Sequence, residues 1–348
     1  METRIVDWNE KEAVAKALQA GEVVLFPTET VYGIACLASS EAAYEKLRDA
    51  KGRPEAKPFT LMCADIGSVV ERCQINIGTA EVMQKFMPGE ITLLLKGRPG
   101  IPHCMDLGTG VVGVRIPNAK DVLELIEMVG EPLLVSSANM SGSKPAQNAK
   151  EAIDIFDSRV AYIVKGECVS HTPSTIVDLT GDAPKLIRQG NIEFENIEGV
   201  YQKVAKSIAL GSDHGGYLYK EEIKKHLTEM GYNVLDFGCH STSSVDYPQF
   251  GKAVAEAVVQ GKAELGVVVC TSGEGISMAA NKVPGARCGI GYDDAVTAKT
   301  REHNNANVIA FGQKYMKLED VLRRVDIFLS VPFSVEAKHH RRVDQLDK

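Results

Sequence analysis

Leu265-Gly-Val-Val-Val-Cys-Thr-Ser-Gly-Glu-Gly275 is the stretch of sequence that decides the fold of the second half of the chain. The unbroken apolar run Leu265–Val269 predicts a strand that is buried on both faces, because a half-exposed strand would alternate apolar and polar residues. The turn after it is rich in glycine and hydroxyl groups and predicts a change of direction into a helix from Gly275. A buried strand, a turn and a helix in this order are typical of a parallel α/β sheet.

The same alternation continues on both sides of this stretch. Further strands are predicted at Ser207–Gly211, Asn233–Phe237, Arg287–Tyr292 and Val308–Phe311, and helices at Leu218–Met230, Phe250–Val259, Asp294–His303 and from Leu318 onward. Strands that alternate with helices predict a Rossmann-like, three-layer α/β/α domain with a parallel sheet between two layers of helices.

The first half of the chain also alternates strand-like and helical runs, which predicts a second α/β domain. Strands are predicted at Glu22–Phe26, Ile91–Leu95, Val111–Arg115, Pro132–Val135 and Ala161–Val164, and helices at Glu41–Ala50 and Asp121–Val129. The stretch 192–207 is polar and permits a helix that runs into a linker. A chain of 348 residues exceeds the usual single core. We therefore expect two domains, residues 1–204 and 205–348.

Composition limits the classes of function. The chain has 44% hydrophobic and 24% charged residues, the mix of an ordinary globular protein. It has no apolar run long enough to span a bilayer, and its polar start lacks the apolar core of a signal peptide, so we expect a cytoplasmic protein without membrane contact. The eight cysteines are scattered, without zinc spacing, so we expect no resident metal site and no disulfides.

The charge is unevenly divided between the halves. Residues 1–204 carry 21 Lys and Arg against 28 Asp and Glu, a net charge of −7, whereas residues 205–348 carry 18 of each. Neither half has the basic excess that gives sequence-independent affinity for nucleic acid. If the acidic first half handles an anion, it must concentrate its cations locally.

Polar clusters interrupt the second half at three places. They are Gly211-Ser-Asp-His-Gly-Gly216, Cys270-Thr-Ser-Gly-Glu-Gly275 and Arg301-Glu-His-Asn304. Ligands of open parallel sheets bind at the carboxyl ends of the strands, and we expect the three clusters to converge at that edge. Any single cluster is also explained by turn formation, because Gly, Ser, Asp and Asn favour turns.

The chemistry of these clusters can be assigned from residue type. Backbone N–H groups of the glycine-rich turn before a helix form a cradle for an anion or oxyanion. Cys270, at that turn, is a candidate base or nucleophile. His214 and His303 can move protons near neutral pH. The cationic segment Lys338-His-His-Arg-Arg342 follows the last predicted helix and could either close over a phosphate or remain a solvated tail.

These residues resemble one known family over nearly all of residues 205–348. The shared motifs are Ser212-Asp-His-Gly-Gly216, Val245-Asp-Tyr-Pro248, Gly273-Glu-Gly-Ile-Ser-Met-Ala-Ala-Asn-Lys-Val-Pro-Gly285, His303-Asn304 and Ala310-Phe-Gly312. They are similar to the type B ribose-5-phosphate isomerases (RpiB), which interconvert ribose 5-phosphate and ribulose 5-phosphate without a metal. The resemblance also implies a homodimer with a shared site, in which some residues act across the interface.

The resemblance implies a role for each matching residue. Cys270 would move a proton between C1 and C2 through an enediolate, which Ser272 and the amides of Thr271–Gly275 would stabilise. His303, with Asp213 nearby, would assist opening of the furanose ring. The residues implied to bind the sugar phosphate are His214, Tyr247, Thr271, Gly273, Gly275, Asn304, Lys338 and Arg342.

The sequence departs from the family pattern at two positions. Cys270-Thr-Ser-Gly273 stands where the family usually has Cys-Gly-Thr-Gly, and Lys338 stands where a phosphate-binding Arg is usual. Some relatives use a Glu on the following helix as base, but that position is Ile276 here, which favours Cys270. These departures leave the substrate open between ribose 5-phosphate and an aldose 6-phosphate such as that of allose or galactose.

The first half carries its candidate residues at the ends of predicted elements. They lie in Pro27-Thr-Glu-Thr-Val-Tyr-Gly33, Lys51-Gly-Arg-Pro-Glu-Ala-Lys57, Ser136-Ser-Ala-Asn139, at Arg115 and at Arg188. Cations grouped in this way in an acidic domain indicate a focused site for a polyanion, although each alone is explained by a charged surface turn. Neither a P-loop nor a Rossmann fingerprint is present.

Together these stretches resemble the YrdC/YciO superfamily over roughly residues 8–195. Further matches are Pro88-Gly-Glu-Ile-Thr92, Val112-Gly-Val-Arg-Ile-Pro117, Ser137-Ala-Asn-Met-Ser-Gly142 and Pro173-Ser-Thr-Ile-Val-Asp178. The resemblance implies a YrdC-like twisted α/β fold and synthesis of threonylcarbamoyl-adenylate from L-threonine, bicarbonate and ATP with Mg²⁺, with release of pyrophosphate. That product feeds the N6-threonylcarbamoyl modification of adenosine 37 in tRNA, so a weak contact with tRNA is also expected.

The resemblance implies two sets of binding residues in this half. Thr30, Arg115 and Ser174 would hold threonine, with Arg115 on its carboxylate. The residues implied to surround ATP are Lys51, Arg53, Lys57, Ser137, Asn139 and Arg188.

Two departures bear on this activity and leave alternatives open. Met62 stands where the synthases often carry a His, as in the YciO branch, and the extra C-terminal domain of longer synthases is replaced by the isomerase-like half. The chain is thus either a bifunctional enzyme or an active isomerase fused to a nucleotide- or RNA-binding module. A third alternative is that the second half only dimerises the first.

Overall fold

The computed structural model describes residues 2–52, 58–140, 142–181, 183–202 and 206–346. Their contacts divide the chain into two compact units. One unit comprises the chain up to Gln74 together with Lys85–Tyr201, and the other comprises Ile75–Gln84 and the chain from Gln202 onward. The expected domain boundary between residues 204 and 205 lies outside the described residues, as do Arg53 and Lys57.

The first unit is built on a mixed sheet, which has ten strands within the described residues. The strands are β1 (Arg4–Val6), β2 (Val24–Phe26), β3 (Gly33–Leu37), β4 (Thr60–Met62), β5 (Ile91–Lys96), β6 (Val111–Arg115), β7 (Leu133–Ser137), β8 (Tyr162–Val164), β9 (Thr175–Asp178) and β10 (Lys185–Arg188). Their order across the sheet is β1-β8-β2-β3-β7-β4-β6-β5-β9-β10, with parallel and antiparallel neighbours.

The helices of the first two hundred residues are short. They are α1 (Lys11–Gln19), α2 (Glu41–Ala50), α3 (Ile66–Val70), α4 (Ile77–Phe86), α5 (His103–Asp106), α6 (Lys120–Val129), α7 (Ala149–Phe156) and α8 (Phe194–Tyr201). Helix α6 buries Val122, Leu125, Ile126 and Val129, the spacing of one helical face, and these residues join the apolar cluster on the sheet. Helix α6 is followed by Gly130, whose φ of 85° is the left-handed conformation that glycine adopts readily.

The second unit is a parallel sheet between helices, as predicted. Its strands are β11 (Ser207–Ser212), β12 (Asn233–Asp236), β13 (Leu265–Cys270), β14 (Cys288–Ile290) and β15 (Val308–Gly312), in the order β12-β11-β13-β15-β14. Besides the part of α4 up to Gln84, its helices are α9 (Tyr217–Glu229), α10 (Tyr247–Val259), α11 (Glu274–Ala280), α12 (Asp294–Glu302), α13 (Leu318–Ser330) and α14 (Ala337–Val343).

Two apolar clusters cover opposite faces of this sheet. Val267 joins the cluster that contains Ile223 of α9 and Phe328 of α13, whereas Val268 joins the cluster that contains Val254 of α10 and Ile276 of α11. Successive residues of a strand point to opposite faces, so β13 is buried on both sides. The unbroken apolar run that predicted this strand therefore follows from its central place in three layers. No helix among the described residues has the length and apolar character needed to cross a membrane.

Candidate active sites

Two of the three polar clusters of the second unit meet at the carboxyl edge of its sheet. Asp213 and His214 follow β11 directly, and Cys270 is the last residue of the neighbouring strand β13. The glycines between them permit a close approach of backbone. A Cβ on Gly216 would lie 2.4 Å from the carbonyl oxygen of Val269. The turn after β11 therefore lies directly against the strand that ends in the cysteine.

The turn that carries Cys270 has the form of a cradle. The Cys270 side chain is 5% exposed, and its Sγ accepts a hydrogen bond from the backbone N–H of Gly273 at 3.1 Å. Ser272 Oγ accepts one from Glu274 N–H at 3.3 Å, at the first turn of α11. A Cβ on Gly275 would lie 2.7 Å from Cζ of Tyr247, so the phenol ring covers this turn. The predicted group of Cys270, Thr271–Gly275 and Tyr247 is thus contiguous.

Asp213 and His214 are each held by backbone groups. Asp213 is buried, and its Oδ1 accepts from Gly216 N–H at 3.1 Å. Burial raises the pKa of the Asp213 carboxyl, against the opposing effects of His214 and of backbone donors. The Nδ1 of His214 lies 3.2 Å from both the carbonyl oxygen and the N–H nitrogen of Val245. The loop before Tyr247 therefore orients His214.

The expectation that His303 and Asn304 join these residues is wrong within one chain. Helix α12 runs back from the carboxyl end of β14 to the amino end of β15, so His303, which follows it, lies at the opposite edge of the sheet. The carbonyl of the nearby Asn307 accepts from Gly266 N–H, at the start of β13. Asn304 borders a cavity of about 390 Å³ that also involves Cys288, the first residue of β14.

The cationic tail lies at that same opposite edge. It is helical as α14, and the ring of His339 stacks on that of His303 with centroids 4.2 Å apart. Lys338 Nζ pairs with Glu336 at 2.6 Å, and Arg342 is exposed on the same helix. Burial, together with the charges of His303 and Lys338, lowers the pKa of His339. The predicted residues His303, Asn304, Lys338 and Arg342 therefore form a second group.

The first unit contains a cavity of about 320 Å³ bounded by the ends of several strands. All three residues implied to hold threonine line it, as do two of those implied to surround ATP; they are Thr30, Arg115, Ser174, Ser137 and Arg188. Met62, the residue that stands where the synthases often carry a His, also lines this cavity.

Arg115 is the central charge of this cavity. It is 7% exposed, and its Nη2 donates to Oγ1 of Thr30 at 2.9 Å and to Oε1 of Glu29 at 2.7 Å. Arg188 donates from Nη2 to the hydroxyl of Ser174 at 3.2 Å and to its carbonyl oxygen at 2.8 Å. Partial desolvation of its guanidinium, together with the nearby charge of Arg115, lowers the pKa of Arg188, although the residue as a whole is exposed. Two cations so close together form a site suited to an anion.

Three of the residues implied to surround ATP form one cluster. Lys51 is buried, and its Nζ donates to the carbonyl oxygen of Ser137 and to Oδ1 of Asn139, the latter at 3.3 Å. Ser137 Oγ donates to the same Asn139 oxygen at 2.7 Å. Because Ser137 also lines the cavity, this cluster is continuous with the Arg115 end.

Several residues of both sites have no role that the sequence alone predicts. Glu29 and Thr28 lie beside Arg115 and Thr30, Thr92 Oγ1 lies 2.8 Å from Ser174 Oγ, and His339 stacks on His303. Glu29 and Thr28 both belong to the motif Pro27–Gly33, but the pairing of Glu29 with Arg115, 86 residues away, has no local signal in the sequence.

Comparisons with known proteins match the two halves separately. Residues 16–190 match the Sua5/YciO/YrdC family model, described as telomere recombination, and residues 208–346 match the LacAB/RpiB model, described as ribose/galactose isomerase. Ribose-5-phosphate isomerase B of Mycobacterium tuberculosis (strain CDC 1551 / Oshkosh) is 40% identical over 140 residues, 40% of this chain and 86% of that protein.

The first half has two informative relatives. Threonylcarbamoyl-AMP synthase of Pyrococcus abyssi is 34% identical over 203 residues, 58% of this chain and 59% of that protein. This chain thus spans less than two thirds of that relative. The crystal structure of Escherichia coli YciO matches with a TM-score of 0.51 and 25% identity, and covers 56% of this chain and 98% of that one.

Proposed function

Because the chain belongs to the Sua5/YciO/YrdC family in its first half and to the ribose/galactose isomerase family in its second, we propose that it is a bifunctional enzyme. One observation carries the proposal: each unit holds its own set of buried reactive groups. Cys270 lies with Asp213 at the sheet edge of the second unit, and Arg115 lies with Thr30 in the cavity of the first.

The proposed reaction of the second unit is isomerisation of ribose 5-phosphate to ribulose 5-phosphate. The thiolate of Cys270 removes the proton from C2 of the open-chain aldose and delivers it to C1, while the hydroxyl proton of O2 passes to O1, so no oxidant or cofactor is required. The hydroxyl of Ser272 and the amides of Thr271–Gly275 donate to the enediolate oxygens. The role of Cys270 is supported by the amide of Gly273, which donates to the cysteine sulfur and orients it at this turn. The aldose 6-phosphates are the alternative substrates and should be assayed beside ribose 5-phosphate.

The remaining isomerase residues are proposed to act across a homodimer. His303 would open the furanose ring with Asp213, and Asn304 would contact the sugar, while Lys338 and Arg342 would hold the phosphate with His214 of the other copy. The opposite placement of the two groups in one chain supports this arrangement, because neither group alone combines a base with a ring-opening acid.

The proposed reaction of the first unit joins L-threonine, bicarbonate and ATP into threonylcarbamoyl-adenylate, with release of pyrophosphate and water. Arg115 would bind the threonine carboxylate, while Thr30 and Ser174 would contact the rest of the amino acid. The carbamate oxygen attacks the α-phosphorus and pyrophosphate leaves, as Mg²⁺ bound to the ATP offsets the phosphate charge. The residues proposed to surround this nucleotide are Lys51, Arg53, Lys57, Ser137, Asn139 and Arg188. The adenylate would serve threonylcarbamoylation of adenosine 37 in tRNA.

The isomerase proposal is tested by Cys270→Ala. We expect it to abolish isomerisation of ribose 5-phosphate while the protein keeps its melting temperature. Cys239→Ala is a matched control, because Cys239 is also buried in the second unit, at 7% exposure. Turnover of Cys270→Ala close to that of the control would show that Cys270 is not the base.

The synthase proposal is tested by release of pyrophosphate from ATP, assayed with Arg53→Ala beside the wild type. We expect release that requires both threonine and bicarbonate and that falls in the variant. Release that ignores threonine, or no release from folded protein, would favour the nucleotide- or RNA-binding module instead. Filter binding of tRNA over a salt series would then detect that module, because electrostatic RNA affinity collapses as salt rises.

A further inference from the structure

The turn Pro27-Thr-Glu-Thr30 contains a hydrogen-bond chain in which the direction of every proton can be assigned. Thr28 Oγ1 lies 2.7 Å from the carbonyl oxygen of Val31 and 2.9 Å from Thr30 Oγ1. A carbonyl oxygen can only accept, so the Thr28 hydroxyl proton points to Val31. The hydroxyl of Thr30 must therefore be the donor between the two threonines.

Arg115 completes this chain from the other side. A guanidinium only donates, and Arg115 Nη2 lies 2.9 Å from Thr30 Oγ1. The Thr30 oxygen therefore gives its proton to Thr28 and uses one lone pair for Arg115. Only its second lone pair remains, so Thr30 can offer a ligand in the cavity an acceptor and never a donor.

Glu29 fixes the orientation of Arg115. Its Oε1 accepts from Arg115 Nη2 at 2.7 Å and from Asn118 N–H at 2.9 Å, and the pair is almost fully buried. This contact engages the Nη2 side of the guanidinium with Glu29 and Thr30. Among the described residues, Arg115 Nη1 makes no hydrogen bond, and it is the nitrogen left to bind a ligand.

Two buried atoms of this pair have no hydrogen-bond partner in the described part of the chain, Oε2 of Glu29 and Nε of Arg115. An unsatisfied buried charged group is costly and calls for an explanation, and a ligand that binds beside it is one. Arg115 lines the cavity beside the acceptor-only hydroxyl of Thr30, which sets its pair with Glu29 apart from an ordinary structural ion pair.

We propose that Glu29 and Thr28 are positioning residues that make this end of the cavity selective for an α-amino acid. Arg115, aligned by Glu29, binds the carboxylate, and Thr30, polarised by Thr28, accepts an N–H from the α-nitrogen. That nitrogen keeps one N–H after it is carbamoylated, so the contact persists through the reaction. The inference rests on the proposed synthase function and deepens it.

The first test uses Thr28→Val and Thr28→Ser in the pyrophosphate assay of the full chain. Valine keeps the shape but frees the Thr30 proton to point into the cavity, whereas serine keeps the acceptor. We expect valine to raise the KM for L-threonine about tenfold, the effect of one lost hydrogen bond, and serine to restore it. The KM for ATP and kcat at saturating threonine should change by less than about twofold in both variants.

The second test uses Glu29→Gln, which keeps an acceptor for Arg115 but removes the charge. A comparable rise in the KM for threonine is expected, with Glu71→Gln as the matched control, because Glu71 pairs with Arg72 at the surface. Isothermal titration of the wild type with two analogues separates the groups of the ligand. L-2-aminobutyrate, which keeps the amine, should bind, and 3-hydroxybutyrate, which lacks it, should not.

An unchanged KM for threonine in Thr28→Val, or binding of 3-hydroxybutyrate in place of L-2-aminobutyrate, would overturn the inference. If Glu29→Gln fails to fold, the comparison of Thr28→Val with Thr28→Ser still tests the inference. If the wild type releases no threonine-dependent pyrophosphate, the proposed synthase function itself is contradicted. If the wild type turns over normally and the variants do too, only the positioning roles of Thr28 and Glu29 are contradicted.

Discussion

Two inactive variants of the isomerase unit should restore activity when they are combined. Cys270 and His303 lie at opposite edges of the sheet in one chain, so each site of the proposed dimer would take Cys270 from one copy and His303 from the other. In a mixed dimer of Cys270→Ala and His303→Ala, one site receives both substitutions and the second receives neither. One intact site per mixed dimer is therefore expected.

The size of the recovery follows from the geometry. Equal amounts of two subunits that exchange freely give half mixed dimers, so the mixture should show about one quarter of the wild-type activity. The assay is conversion of ribose 5-phosphate to ribulose 5-phosphate after co-unfolding and refolding, with each variant refolded alone as the baseline. A mixture that stays at the baseline, with mixed dimers demonstrated by differently tagged subunits, would refute the shared site.

Three further predictions concern the second unit. Burial raises the pKa of Asp213 above its ordinary value of 3.8, so the folded state holds this proton more tightly than the unfolded state. As pH rises from below 3.8 through the raised pKa, the wild type should therefore lose stability relative to Asp213→Asn in urea titrations. A free energy of unfolding that changes with pH in the same way in both proteins would contradict this. Lys220 is fully buried and its Nζ lies 2.7 Å from Asp236, so Lys220→Met should lower the free energy of unfolding by about 1.5–3 kcal/mol, the contribution of a hydrogen bond to a charged group. Lys224 pairs with the same carboxylate but is 42% exposed, so Lys224→Met should lower the free energy of unfolding by less than about 1 kcal/mol. Equal losses of stability in the two methionine variants would show that burial does not govern the strength of these ion pairs.

The second unit was largely predictable because its strands are buried on both faces. Leu265–Val269 was predicted and Leu265–Cys270 is found, and the helix predicted at Asp294–His303 ends one residue earlier. The tail helix Ala337–Val343 was not predicted, since its cationic sequence lacks an apolar stripe. The helix packs through His339, which stacks on His303, and through the buried Val343.

The first unit was less predictable because many of its elements are too short to show periodicity. Strands of three or four residues, such as Thr60–Met62 and Lys185–Arg188, acquire their structure from neighbours in the sheet. Helix Lys11–Gln19 was also missed, although it packs Val14 and Leu18 into the core.

Some residues of the candidate sites could be predicted from the local sequence, whereas others depend on contacts between residues far apart in the chain. Residues that directly follow strands, such as Asp213 and Cys270, could be placed by the rule that ligands bind at carboxyl ends. His303 could not, because it follows a helix, and helices of a parallel sheet end at the opposite edge. Glu29 could not be assigned a role because its partner Arg115 is 86 residues away.

Two single substitutions, each of which removes one activity and spares the other, test the proposal of a bifunctional enzyme most directly. Cys270→Ala should lose isomerisation of ribose 5-phosphate and keep the threonine- and bicarbonate-dependent release of pyrophosphate. Arg188→Ala, which removes a cation from the cavity of the first unit, should show the reverse. A wild type that lacks either activity, or a substitution that abolishes both while the protein stays folded, would contradict the account.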